Sequence, residues 1–298
     1  MQNQFVALAV ICAALPCAAQ SGNLSDWTRL IQAEKCDAAK SLCSEYVDSK
    51  VIAEQVEAQK CLANVALCGQ SAVYLEGDDA GGGNIRGSFK PEAVDEALVH
   101  LNLGIKLAPQ DLSIHQGRLH VLEVAGRYDA MVKALDESCT IYQGKDALEA
   151  WLAYSPELAD LRQYNAGLEF MEALDKHYPN QPDILGNIGA FLDLLKRDAE
   201  AIPYLEKAAA LAPNDPINAW DLGRAYDYAN RDALADEWYK KGLSLETDPE
   251  RRKESLCIYA EFVEEKLKDR DRACELQKQS CPAEQQTACT ARAPLKVQ

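Results

Sequence analysis

The sequence predicts an all-α solenoid of antiparallel helix pairs, closed at each end by a helical hairpin stapled with disulfides. Three observations carry that expectation. Shifted by 34 residues against itself, the second half of the chain places Gly189 on Gly223, Ala201 on Ala235 and Leu205 on Tyr239, while Arg197-Asp198-Ala199 returns as Arg231-Asp232-Ala233. Four cysteines form two C-x6-C units near the start, and four more cluster near the end. Apolar residues make up 48% of the 298, enough to build a core, and charged residues 26%. That balance excludes wholesale disorder.

The first segment, residues 1–19, reads as an export signal. Residues 5–19 (FVALAVICAALPCAA) are all apolar, and no charged side chain precedes Asp26. Such a run falls short of the roughly 20 apolar residues that span a bilayer, and it is followed by small residues, so cleavage is expected after Ala19. Pro16 and the lack of an amphipathic period argue against a buried helix. No later stretch approaches spanning length, so no membrane insertion is expected once the signal is removed.

Residues 20–75 are expected to hold a stapled hairpin and a first repeat helix. In an oxidising compartment cysteines pair by default. A spacing of seven is two helical turns, which puts Cys36 with Cys43, and Cys61 with Cys68, each on one helix face. In an antiparallel hairpin, facing residues lie symmetrically about the turn. Cys36 and Cys68, like Cys43 and Cys61, are symmetric about Ile52, beside the turn-like Asp48-Ser49-Lys50-Val51. These two bridges follow, and the hairpin resembles the twin-cysteine hairpins of the coiled-coil-helix family, at a different spacing. Zinc favours close C-x2-C pairs, and the chain has none. The same symmetry about Asp269 pairs Cys257 with Cys281, and Cys274–Cys289 ties back the polar tail, residues 282–298. Cys139 is left over as an expected core residue. No C-x-x-C or C-x-x-C-H suggests thiol exchange or covalent haem, and no cofactor is expected.

Residues 92–249 hold the repeats. Residues 182–215 carry Leu185, Ile188-Gly189, Leu192, Ala201, Leu205, Ala208 and Pro213; residues 216–249 carry Leu222-Gly223, Tyr226, Ala235, Tyr239 and Pro249. Both resemble the tetratricopeptide repeat, a helix–turn–helix unit of this period, with Trp220 one residue late and Pro249 slightly late. The small residues let the two helices of a unit approach. Leu192, Tyr226, Leu205 and Tyr239 are expected between units. Pro213 ends a helix. A lone unit cannot bury its apolar face, so stacking supplies the core. Weaker units follow the same plan. Residues 112–145 turn at Gly126-Arg127-Tyr128-Asp129, and residues 148–181 keep Trp151, Leu174 and Pro179, with Ser155-Pro156 interrupting the first helix. Val56 to Leu75 and Glu92 to Leu107 read as one unit divided by an insertion, and residues 250–281 as capping helices. The resemblance implies a right-handed superhelix.

The insertion, residues 76–91 (EGDDAGGGNIRGSFKP), holds glycines and the acidic trio Glu76, Asp78 and Asp79. It lacks the lysine of a phosphate loop and the ligand spacing of an EF-hand, so a surface insertion is expected. Of the four histidines, His115 and His120 are five apart and share no helix face, so no metal site is expected. No G-x-S-x-G is present, and nothing favours an enzyme. The net charge of −16 disfavours nucleic acid and anionic membranes as partners.

In the family, the first helix of each unit lines a concave groove that holds a peptide or partner helix. Carried over, the resemblance assigns that role to His120, Glu123 and Val124, to Asp193 and Leu194, and to Trp220, Arg224, Asp227 and Tyr228. Trp220 and Tyr228 would serve inter-repeat packing equally well. The clamp by which some members bind a C-terminal carboxylate is missing, since Leu152, Pro156, Gly186 and Ala190 stand in its places. The groove should be acidic and aromatic, taking a neutral or basic segment of a protein or peptide. The function expected is an exported, non-enzymatic interaction scaffold in the periplasm, cell envelope or extracellular space. The alternatives are an accessory subunit or enzyme with a site near the insertion, and a redox or metal-handling protein that uses the cysteines.

Overall fold

The computed structural model describes residues 24–70, 72–75, 84–87, 89–142, 145–282 and 285–289. The expected export signal, the acidic trio of the insertion and most of the tail lie outside the described residues. The chain divides into two compact units, residues 1–177 and 178–298.

The first unit contains α1 (Trp27–Gln32), α2 (Cys36–Ser44), α3 (Ile52–Leu67), α4 (Pro91–Leu107), α5 (Leu112–Val124), α6 (Tyr128–Ile141), α7 (Lys145–Leu152), α8 (Tyr154–Asp160) and α9 (Tyr164–His177). The second contains α10 (Pro182–Leu194), α11 (Asp198–Leu211), α12 (Pro216–Tyr228), α13 (Asp232–Leu245), α14 (Pro249–Glu265) and α15 (Arg270–Ser280). Among the described residues, no helix is long and apolar enough to cross a membrane.

Local chemistry sets the helix ends. Proline opens α4, α10, α12 and α14, where its missing N–H is no loss. Asp111, Asp215, Asp248 and Asp269 cap the helices that follow them by accepting from backbone N–H groups of the first turn. The turn between the two helices of a pair recurs: Gly126, Arg162, Lys196 and Asn230 all adopt positive φ. The next residue in each case (Arg127, Gln163, Arg197, Arg231) donates its N–H to the carbonyl five residues back, at 2.8 Å. One helix stop thus serves four successive pairs.

At the N-terminal end, Leu24, Trp27, Ile31, Ala39, Cys43, Cys61 and Leu62 form one buried cluster, with the Trp27 indole donating to Glu57 Oε1 at 2.8 Å. Disulfides join Cys36 to Cys68 and Cys43 to Cys61 across α2 and α3, with Cα atoms 5.7 and 6.2 Å apart. At the other end Cys257 joins Cys281 and Cys274 joins Cys289. Cys139 is fully buried in α6.

Three expectations need correction. Helix α3 ends at Leu67 rather than running to Leu75, because Gly69 at φ 70° turns the chain. Beside the insertion, expected as a surface loop, the chain forms a two-stranded antiparallel ladder, Ala72–Leu75 against Asn84–Gly87, whose second strand lies within residues 76–91. The helix expected to break at Ser155-Pro156 divides earlier, after Leu152. Pro156 then sits in the first turn of α8, where no intrahelical donor is needed.

Leu205 and Tyr239 each lie against the glycine of their own pair, and Tyr239 also packs on Tyr259 and Phe262 of α14. A Cβ on Gly189 would occupy the Leu205 side chain, and one on Gly223 would meet Tyr239 Cδ1 at 2.8 Å and its backbone N at 3.0 Å. Gly189→Ala should therefore destabilise the protein by about 1–3 kcal/mol, the usual scale of overpacking. A shift of the denaturant midpoint at constant slope reads this out.

His115 belongs to the interior. Its Nε2 donates to the Pro109 carbonyl at 3.0 Å, and its Nδ1 meets the Ser138 hydroxyl at 2.9 Å. Burial holds its pKa below the usual value, against the Pro109 carbonyl. Arg118 completes this network through Ala134 O, Ser138 Oγ and Glu137.

Candidate functional site

In the second unit, Trp220, Arg224, Asp227 and Tyr228 recur every three or four residues and so share one face of α12. The Arg224 guanidinium lies 2.8 Å from Asp193 Oδ2 at the end of α10 and 3.7 Å from Asp221 Oδ1. Asp193 is only 5% exposed, and its Oδ1 has no hydrogen-bond partner among the described residues, nor has Arg224 Nε. Asp193 and Asp221 share the Arg224 guanidinium, while Lys196 acts on Asp193 as well and Lys266 pairs with Asp227. Burial raises the Asp221 pKa to about 6, with Asp193 and Asp215 adding to the effect and Arg224 opposing it. Asp193 is raised too, by burial and by Asp198, against the pull of Arg224. Asp227, 3.4 Å from Lys266, is likewise raised by burial.

Apolar groups flank these charges. Tyr228 is 46% exposed, with Lys196 Nζ 5.2 Å above its ring centroid, and Leu194 is exposed at the end of α10. Trp220 packs on Tyr239 with ring centroids 4.7 Å apart. It also helps wall an open cavity of about 250 Å³, lined by Ile217, Gly242, Arg251 and Ile258 among others. Trp220 is thus both packing residue and cavity wall. Ile217, Ile258 and Asp221 were not among the residues expected from sequence, although Ile217 lies one turn before Trp220 on the same face.

In the first unit the three expected residues are placed differently. His120 Nδ1 is 3.3 Å from Glu123 Oε2, and Val124 is half-buried. Glu123 is 4% exposed, hence not presented to a partner. Its surroundings explain this: the Tyr154 hydroxyl of α8 donates to the Gln116 carbonyl of α5 at 2.9 Å, laying the start of α8 over α5. Glu157 of α8 then meets Glu123. Loss of hydration, reinforced by Glu123 and opposed by His120, raises the Glu157 pKa to about 7.

Residues 182–215, which comprise α10, α11 and the turn after them, match the family model of the tetratricopeptide repeat. The chain therefore contains a tetratricopeptide repeat. Among solved structures it is similar to the C-terminal part of a tetratricopeptide repeat-containing protein from Cytophaga hutchinsonii, at 12% identity and a TM-score of 0.54, covering 90% of this chain and 100% of that one. It is also similar to PilF of Pseudomonas aeruginosa (17% identity, TM-score 0.42, 63% and 83% covered) and to MamA of Desulfovibrio magneticus (22%, 0.45, 59% and 96%). These are likenesses of fold. No curated protein matches the chain in sequence. The tetratricopeptide fold is that of a protein–protein interaction scaffold, and α10 and α12 are first helices of its pairs.

Proposed function

We propose that this protein is an exported, non-enzymatic scaffold that holds a basic segment of a partner protein against α10 and α12. The observation that carries this reading is the surplus of carboxylates around Arg224. Asp193 and Asp221 share one guanidinium, and a lysine or arginine from a partner supplies further positive charge at the point where an interface is most sensitive to it. Tyr228 offers an exposed ring to the same cation or to an apolar neighbour, a usual role for aromatic interface anchors. The cavity beside Trp220 accepts one side chain of the bound segment.

The test is capture of partners from envelope extract by wild type and by a Tyr228→Ala/Asp221→Asn double variant, followed by titration of the captured segment as a peptide. Losing an anchor and a charge should weaken binding about tenfold or more, equivalent to roughly 1.4 kcal/mol or more, and wild-type affinity should fall as salt rises. Equal capture by the double variant, or preference for acidic segments, contradicts the proposal. Export is tested separately. Alkylation of the unfolded but unreduced protein should modify one of the nine cysteines beyond residue 19, namely Cys139. Modification of several would place the chain in a reducing compartment.

A further inference from the structure

We propose that His120, Glu123 and Glu157 form a binding site for a zinc-type divalent cation in the first unit. His120-Val121-Leu122-Glu123 sets an imidazole and a carboxylate one turn apart on one face of α5, and α8 brings the Glu157 carboxylate across to them. One donor atom from each of the three residues lies within 4.8 Å of the other two. A tetrahedral ion with bonds of about 2.0–2.2 Å needs its donors about 3.4 Å apart. Small side-chain rotations close that difference.

A second observation points to a ligand independently of the clustering. Glu123 is 4% exposed, and its Oε1 is buried with no hydrogen-bond partner among the described residues. An ionised oxygen in that position is strongly unfavourable unless a positive charge meets it. The neighbouring charge is another carboxylate, and the His120 imidazole beside the pair is charged only when protonated. A divalent ion neutralises both carboxylates at once and takes the neutral imidazole as its third ligand.

The donor set defines the class of ion. One nitrogen and two carboxylate oxygens suit zinc, cobalt and manganese better than calcium or magnesium, which take oxygen ligands. Three protein donors leave a fourth position for water or for a group from a partner. The ion would also tie α5 to α8 beside the break between α7 and α8, so binding should stabilise the fold. The inference concerns the first unit and stands or falls apart from the proposed groove on α10 and α12.

The experiment uses the full chain with its disulfides intact. Zn²⁺ is titrated calorimetrically in the presence of excess Mg²⁺, and Co²⁺ is added as a spectroscopic stand-in. His120→Asn and Glu157→Gln are compared with wild type after circular dichroism shows that each is folded. Both positions are at least partly exposed, and the amide introduced by Glu157→Gln can donate to Glu123. The expected result is one Zn²⁺ per chain, a visible Co²⁺ band without thiolate charge transfer, and an affinity lower by roughly 10–100-fold or more in either variant. Absence of one-to-one uptake, wild-type affinity in both variants, or a thiolate-to-cobalt band would each overturn the assignment. The first of these would leave a proton shared between Glu123 and Glu157 as the means of burying the pair.

Discussion

Replacing Tyr239 by alanine should lower stability by about 3–5 kcal/mol, the scale for deleting a large buried aromatic side chain. The ring is fully enclosed within the second unit. Its centroid lies 4.7 Å from Trp220 of α12, 5.2 Å from Phe262 and 5.9 Å from Tyr259, both of α14. The Gly223 backbone approaches it closely enough that no side chain fits there. One residue of α13 therefore covers its own pair and the helix that follows. Tyr239→Phe isolates the aromatic packing from the hydroxyl, whose contact with Asp227 Oδ2 is 3.4 Å, and should lose under about 1 kcal/mol. Urea unfolding of the two variants makes the comparison. A loss below about 1 kcal/mol in Tyr239→Ala would show that the aromatic cluster holds nothing together.

The second large effect is expected at the N-terminal end. Removing the Cys43–Cys61 bridge with a double alanine variant should destabilise the protein by about 3 kcal/mol, from the chain entropy returned to the unfolded state. Both cysteines are completely buried beside Trp27, Ile31 and Leu62, so the smaller side chains add a cavity contribution of the same sign. Because the bridge closes the α2–α3 hairpin, the loss should appear as a lower thermal midpoint than wild type in the absence of reductant, and reductant should lower the wild-type midpoint as well. A wild-type midpoint indifferent to reduction would contradict the stapled end.

How much of this was legible before the structure depends on the kind of signal each feature leaves. Gly189 and Gly223 mark helix crossings because contact there excludes a side chain, and that exclusion is written in residue type. The cysteine pairs were legible because hairpin symmetry converts spacing into contact. The recurrent turn between paired helices was readable only at Gly126. Arg162, Lys196 and Asn230 adopt the same positive φ without glycine, held by the carbonyl bonds that close the helix end. The strand pair around the insertion left no repeat and no cysteine to announce it.

The site was legible in its register but not in its burial. Asp193, Arg224, Asp227 and Tyr228 came from the repeat, and they gather along α10 and α12. That Glu123 would be enclosed could not be read from α5 alone, because the residues enclosing it belong to the divided helix at 145–160. The His120, Glu123 and Glu157 cluster was missed for a related reason. Histidine spacing sets one imidazole against another, while the partner that completes the cluster is a glutamate on a helix that follows a break.

Native-state hydrogen exchange on wild type and Tyr239→Ala tests most directly whether neighbouring pairs supply one another's cover. The account predicts that the substitution exposes amides in α12, α13 and α14 together, while α10 keeps its protection, as expected when stability is a sum of nearest-neighbour interfaces. Loss confined to α13 would mean that the pairs stand alone. Equal loss from α10 through α15 would mean a single closed core, and either result would contradict the stacked architecture on which the functional proposal rests.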